Sequence, residues 1–180
     1  MNFEEVMYFD EAMDSGNVTH LAEFMFLTAR RGDIETMKRC RERGVTQVDI
    51  ALGYAALGGQ VGAMELCKKW GATNFDLALV CAAEQGHIKI AALCKKWGAT
   101  DFDEALISAV EEEHIEIAAL CRRWLGFDYV HHELLRYHHK RKFYRKIAEE
   151  LLPVAWHPDR VYDWCFDEEE KGFLEEMWKN

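Results

Sequence analysis

The sequence predicts an all-α solenoid of short helix–turn–helix repeats with a helical cap at each end, on three observations. Leu66-Cys67-Lys68-Lys69-Trp70-Gly71-Ala72-Thr73 returns as Leu93-Cys94-Lys95-Lys96-Trp97-Gly98-Ala99-Thr100, an offset of 27 residues. The same step aligns Cys40, Cys67, Cys94 and Cys121 in one column and Gly32, Gly59 and Gly86 in another, which Glu113 interrupts. Between these markers the apolar residues recur at helical spacing. A fixed period in the range of roughly 20 to 50 residues means stacked supersecondary units that share their core with their neighbours.

In chain order, residues 3–13 have helical spacing with acids in the first turn, and Asp14-Ser15-Gly16-Asn17 stops them, so 1–19 is expected to be an N-terminal capping helix. Four units follow at 20–46, 47–73, 74–100 and 101–127, each holding two helices of about 10 residues. In the third unit, Phe75, Ala78, Leu79, Ala82 and Ala83 make the apolar stripe of a first helix that Gly86 ends. The second helix runs from His87 or Ile88 to Gly98, its C′ glycine. Thr46-x-x-Asp49, Thr73-x-x-Asp76 and Thr100-x-x-Asp103 each place a hydroxyl at the expected N-cap and a carboxylate near N3, approximating a capping box. In unit four the exit turn becomes Trp124-Leu125-Gly126-Phe127, so the array is ending. Residues 128–180 are expected to form a helical C-terminal cap, with Pro153 stopping a stretch over 131–151 and a final acidic helix from Asp167 to Trp178.

Composition narrows the function classes. With 49% hydrophobic residues the chain has ample material for a folded core. The formal net charge is −10, and acidic side chains outnumber basic ones in 1–46, 47–127 and 128–180 alike, which disfavours a nucleic-acid wrapper and favours protein partners. Of the six cysteines, four recur at one repeat position. Packed helices lie about 8–10 Å apart and a disulfide needs Cα atoms within about 7 Å, so this column reads as buried thiols. Met1-Asn2-Phe3-Glu4-Glu5 is acidic where a secretory signal is basic, and no apolar run approaches a membrane span. A cytoplasmic, reducing location is the expectation.

Gly86-His87-Ile88-Lys89-Ile90-Ala91-Ala92-Leu93-Cys94-Lys95-Lys96-Trp97-Gly98-Ala99, with Leu79-x-x-Ala82-Ala83 before it, resembles the second helix and flanking turns of the ankyrin repeat family over about residues 20–127. The family repeat is about 33 residues, so about six are missing where its β-hairpin finger projects, and its Thr-Pro-Leu-His start is here Leu77-Ala78-Leu79-Val80. The resemblance therefore implies a finger-less, all-α variant whose finger surface does not carry over. Trp97-Gly98-Ala99-Thr100-Asp101-Phe102-Asp103, with Trp156-His157-Pro158-Asp159-Arg160 and Asp163-Trp164-Cys165, is similar to the ankyrin-like families of giant DNA viruses of amoebae. That likeness implies a host-facing or virion-associated interaction protein without specifying an activity.

Three short constellations carry rival readings. His157-Pro158-Asp159 matches the tripeptide of the J-domains that recruit Hsp70 chaperones, with Tyr144-Arg145-Lys146-Ile147-Ala148 resembling the preceding helix; Pro153 falls in the interval and would break that helix. His131, His132, His138, His139, His157 and Cys165 could ligate zinc, but no metal-ligand spacing stands out and surface histidines are the plainer reading, so no metal or cofactor is expected. Arg136 to Lys146 holds six basic residues with Tyr137, Phe143 and Tyr144 interleaved, either a nucleic-acid strip or a solvated face answering Asp167-Glu168-Glu169-Glu170. No nucleophile elbow, phosphate loop, zincin or dinucleotide signature occurs, so an enzyme is not expected.

The positive expectation is a scaffold that binds another protein. The resemblance implies that the two positions before each turn glycine face the exposed concave side: Arg30-Arg31, Leu57-Gly58, Glu84-Gln85 and Glu111-Glu112, running from basic through neutral to acidic. Phe26, Tyr54, Val80 and Ile107, about one turn earlier, are the expected apolar anchors, Tyr54 foremost. Self-association through a stack end near Trp164, Phe173 and Trp178 is a further possibility.

Overall fold

The computed structural model describes residues 13–14 and 16–125. The expected N-terminal helix over 3–13 lies outside them save for its last residue. The expected cap at 128–180 lies outside them entirely. Within them the chain is all-helical: α1 Val18–Arg31, α2 Ile34–Glu42, α3 Val48–Leu57, α4 Val61–Lys69, α5 Phe75–Glu84, α6 Ile88–Trp97, α7 Phe102–Glu111 and α8 Ile115–Leu125. They fall into four pairs at the 27-residue step, and no strand occurs among the described residues.

The two helices of a pair pack differently. Each first helix packs on its own partner and on the first helices before and after it, so that α1, α3, α5 and α7 make a continuous row; the second helices meet one another only sparingly. Side-chain size explains the asymmetry. Ala51, Ala55 and Ala56 of α3, Ala78, Ala82 and Ala83 of α5, and Ala105 and Ala109 of α7 are fully buried. Small side chains let helix axes approach toward the lower end of the usual 8–10 Å range. The larger buried groups come from both layers, Met25, Leu52 and Leu79 on the first helices and Met37, Met64 and Ile117 on the second.

Each first helix ends in a left-handed turn. Gly32, Gly59 and Gly86 have φ of +76°, +74° and +71°, and Glu113 keeps the same turn at +62°. The column that Glu113 interrupts in sequence is therefore uninterrupted in backbone. The glycines serve a second purpose, because a Cβ on Gly86 would stand 2.8 Å from the His114 ring. Second helices exit through Gly44, Gly71 and Gly98, also left-handed, and Val45, Ala72 and Ala99 then donate back to the carbonyls of Cys40, Cys67 and Cys94.

The capping box expected at each unit start is corrected. The threonines stand one residue too early: the N-caps are Gln47, Asn74 and Asp101, and of these only Asn74 makes a capping bond, from the Leu77 N–H at 3.0 Å. The aspartates work between units instead. Asp49 Oδ1 accepts from the N–H groups of Thr73 at 2.7 Å and Asn74 at 2.8 Å, and Asp76 Oδ1 accepts from Thr100 at 2.6 Å and Asp101 at 2.9 Å. A carboxylate on a first helix thus holds the entry to the next unit's first helix. In unit one the equivalent position is Ala22, and the Thr46 N–H is met by Gln47 Oε1.

Two more ladders join the units. His87 donates from Nε2 to the Leu57 carbonyl and His114 from Nε2 to the Glu84 carbonyl, both at 3.1 Å; a carbonyl only accepts, so Nε2 carries the proton. On the second helices, Lys68 Nζ lies 4.5 Å from the Trp97 ring and 5.5 Å from Phe75, and Lys95 Nζ lies 4.6 Å from Trp124 and 5.6 Å from Phe102. Each aromatic pair is tilted, at 58° and 57°. These are cation–π contacts between adjacent units. Arg41 approaches Trp70 in the same way, and Arg122 continues the column as a buried guanidinium that loss of water holds below the usual arginine value.

Cys40, Cys67, Cys94 and Cys121 are fully buried free thiols. Burial pushes them up to about 11 for Cys40 and about 12 for the other three. At neutral pH they are packing groups rather than nucleophiles.

Candidate functional site

The first helices present the side of the row turned away from the second helices. Along α3, Ile50, Tyr54, Leu57 and Gly58 stand at i, i+4, i+7 and i+8, which is one helix face. Ala51, Leu52, Ala55 and Ala56 between them are buried. The same face comprises Glu23, Leu27, Arg30 and Arg31 on α1, Leu77, Cys81, Glu84 and Gln85 on α5, and Glu104, Ser108, Glu111 and Glu112 on α7.

The charged positions expected from sequence are accessible at both ends of this face. Arg30 and Arg31 are exposed on α1, as are Glu111 and Glu112 on α7. In the middle the face is more closed: Gln85 is exposed, while Leu57, Gly58 and Glu84 are half-buried. Gly58 sits tightly, because a Cβ there would collide with the Arg30 carbonyl. The C-terminal ends of α1 and α3 therefore meet backbone to backbone, closer than any larger residue at 58 would permit.

The expected apolar anchors are less open than the charged positions. Phe26, Tyr54, Val80 and Ile107 are all half-buried, and Tyr54 falls one residue outside the column of the other three, whose member in unit two is Gly53. Tyr54 lies flat on Phe26 of the preceding unit, with ring centroids 5.4 Å apart and planes at 14°. It is first a packing residue between α1 and α3. The apolar side chains that do reach solvent on this face are Leu27 and Ile50, each 43% exposed, and Leu77 at 36%. Sequence reasoning missed them by starting from the family's concave pair; stepping back seven residues from Leu57 and Glu84 would have reached Ile50 and Leu77.

Leu77 Cγ and Cδ2 lie 3.3 Å from where a Cβ of Gly53 would be, so Leu77 of α5 covers α3 at its glycine. Tyr54 stacked on Phe26 joins α3 to α1, as Leu77 over Gly53 joins α5 to α3. Glu23 and Glu104, in the same row as Ile50 and Leu77, are exposed on either side of them.

Among the described residues no group of three His, Cys, Asp or Glu side chains could hold a metal ion, and no helix is long and apolar enough to cross a membrane. His131, His132, His138, His139, His157 and Cys165, the basic strip 136–146, the His157-Pro158-Asp159 tripeptide, and Trp164, Phe173 and Trp178 all lie outside the described residues. No family model matches the chain, and no curated protein matches it.

Proposed function

We propose that the chain is a non-enzymatic scaffold that binds another protein along the outer face of α1, α3, α5 and α7, in a finger-less, ankyrin-like stack of short repeats. The observation that carries this reading is the contrast between fixed and varying positions. Residues that join the units recur at the 27-residue step, as with Asp49 and Asp76, His87 and His114, or Lys68 and Lys95, whereas the outer face carries arginine, leucine, glutamate and glutamate at one such step. A rigid frame with a variable, charge-graded flank is suited to orienting a complementary protein and speeding its encounter. The viral ankyrin-like resemblance adds a host or viral protein as the guest, and the buried reduced thiols accord with a cytoplasmic setting.

The test begins with affinity capture from amoeba lysate and identification of the bound protein. A variant carrying Arg30→Glu, Arg31→Glu, Glu111→Lys and Glu112→Lys should then weaken that partner by at least about tenfold, roughly 1.4 kcal/mol, with an unchanged melting temperature. Unchanged affinity would remove the reading.

A further inference from the structure

The two layers of the stack differ in charge. The second helices α2, α4, α6 and α8 hold ten basic and four acidic side chains, whereas the first helices α1, α3, α5 and α7 hold two and seven. Because the layers alternate along the chain, 47–127 is net acidic as a run and the segregation shows only in the fold. Lys68 and Lys95 are accounted for by the Trp97 and Trp124 rings on which they rest, contacts that tie α4 to α6 and α6 to α8. Lys69, Lys96 and Arg123 follow one residue later in their units, or two units of Lys and one of Arg in a single row. All three are exposed, and none pairs with a carboxylate among the described residues. Glu42 holds that place in unit one, so the row ends at α4. The acids Glu65 and Glu116 stand four and seven residues before the cation of their helix, nearer its N-terminal end. A cation in the last turn answers the helix dipole, but Lys89 does not: it is exposed at the second position of α6, where the dipole favours an acid. It shares a helix face with Lys96, seven residues on, and α6 has no acidic side chain.

We infer that Lys69, Lys96 and Arg123, with Lys89 beside them, dock an acidic extended segment of another protein across the second-helix layer. Packed helices stand about 8–10 Å apart, so the guest meets one cation of the row at each step of that size. A chain in the polyproline II form advances about 3.1 Å per residue with roughly three residues per turn, which sets every third side chain on one side about 9 Å apart. A carboxylate at every third residue therefore matches the row. Segments rich in acid and poor in apolar residues stay unfolded and sample this form, so the guest is ready without unfolding. Duplex nucleic acid fits less well: it carries a charge about every 1.7 Å, and a chain of net charge −10 repels so dense a polyanion. This surface shares no residue with the first-helix face proposed above, and it stands or falls separately.

The experiment is fluorescence anisotropy of the full-length chain with three labelled probes at low salt: a peptide of repeated Glu-Pro-Ser, which holds the extended form, its counterpart with Gln for every Glu, and a short DNA duplex. Expected is saturable binding of the glutamate peptide, none of the glutamine peptide, and weaker binding as salt is raised. Lys69→Gln, Lys96→Gln and Arg123→Gln together should raise the Kd at least about tenfold with an unchanged melting temperature, since all three side chains are exposed. Lys89→Gln alone should raise it by a smaller factor. Absence of saturable binding, equal binding of the glutamine peptide, or indifference to the triple variant would each overturn the inference. So would tighter binding of the DNA through the same three residues. None of these results would alter the affinity of a first-helix partner sensitive to reversal of Arg30 and Glu111, so the two failures are distinguishable.

Discussion

The junctions between units and the outer face of the first helices are built from the same four elements but follow opposite rules. At the junctions a bond made once is made again 27 residues on: Asp49 with Thr73 and Asn74, then Asp76 with Thr100 and Asp101; His87 with Leu57, then His114 with Glu84. On the outer face the exposed side chain changes along the row, from Glu23 to Ile50 to Leu77 to Glu104. The difference separates what makes the stack from what the stack presents. A side chain that bonds backbone across a junction is constrained by geometry, whereas one that meets solvent is free to vary.

The comparison breaks most sharply at the one junction that departs from the rule. Between units one and two the place of the histidine is taken by Gln60, whose Nε2 donates to the Gly58 carbonyl in its own unit, and Gly58 lies against the Arg30 carbonyl. Gly58→Ala is expected to destabilise by about 3 kcal/mol, because its Cβ meets backbone that cannot rotate away. Gln85→Ala, at the equivalent place in unit three, should stay within about 0.5 kcal/mol. Urea denaturation of the two variants checks the pair, and equal effects would show that the first junction is no tighter than the second.

Next in size is the carboxylate that holds the following unit. Asp76→Ala leaves the N–H groups of Thr100 and Asp101 without their acceptor, and two charge-assisted bonds at an exposed site are together worth about 2 kcal/mol. Amide hydrogen exchange should quicken at Thr100 and Asp101 first, with the N–H groups of Thr73 and Asn74, held by Asp49, unaffected. Loss of protection at all four would mean that the clamp is global rather than local.

Much of this was legible in the sequence because period and spacing are backbone properties. The all-helical class, the pair boundaries near Phe75 and Ile88, the Gly98 exit and the thiol column all follow from apolar spacing and a 27-residue step. What was not legible depends on where a side chain points in three dimensions. Asp49 and Asp76 sit at the N3 spacing of a capping box, and nothing in one chain distinguishes reaching back within a helix from reaching across to residues 24 and 25 positions on. The packing of Tyr54 was hidden for a related reason: the aromatic neighbour that covers it, Phe26, is 28 positions earlier. Charge at the two ends of the face could be read directly, since Arg30, Arg31, Glu111 and Glu112 have no buried alternative nearby.

A smaller effect concerns the last turn of the array. Glu113 holds a left-handed φ of +62°, which costs a residue with a side chain about 1–2 kcal/mol, while a glycine there loses about 0.5–1 kcal/mol more entropy on folding. Glu113→Gly should therefore stabilise by about 0.5–1 kcal/mol, a gain read as a higher urea midpoint at constant slope. The reverse change, Gly86→Glu, should be harmful beyond the φ cost, because the His114 ring occupies the space its Cβ would take.

The smallest change sharpens the comparison through pH. Asn74 caps α5, but Asp101, its counterpart before α7, hydrogen-bonds to Asp103; that bond first, then burial and the Asp103 charge, raise its carboxyl above the ordinary 3.8, only partly offset by the Glu104 N–H. A carboxyl raised on folding binds its proton more tightly in the native state, so the native protein loses stability as pH rises through that raised value. Asp101→Asn removes the repulsion, a gain of about 0.5 kcal/mol after allowing for solvent screening. The gain should be full at pH 7 and shrink as pH falls through the raised value toward 3.8, where the wild-type carboxyl is itself becoming neutral. Melting temperatures of the two proteins at pH 7 and pH 4 would show it, and an advantage that grows on acidification would mean that Asp101 is held as a charged cap instead.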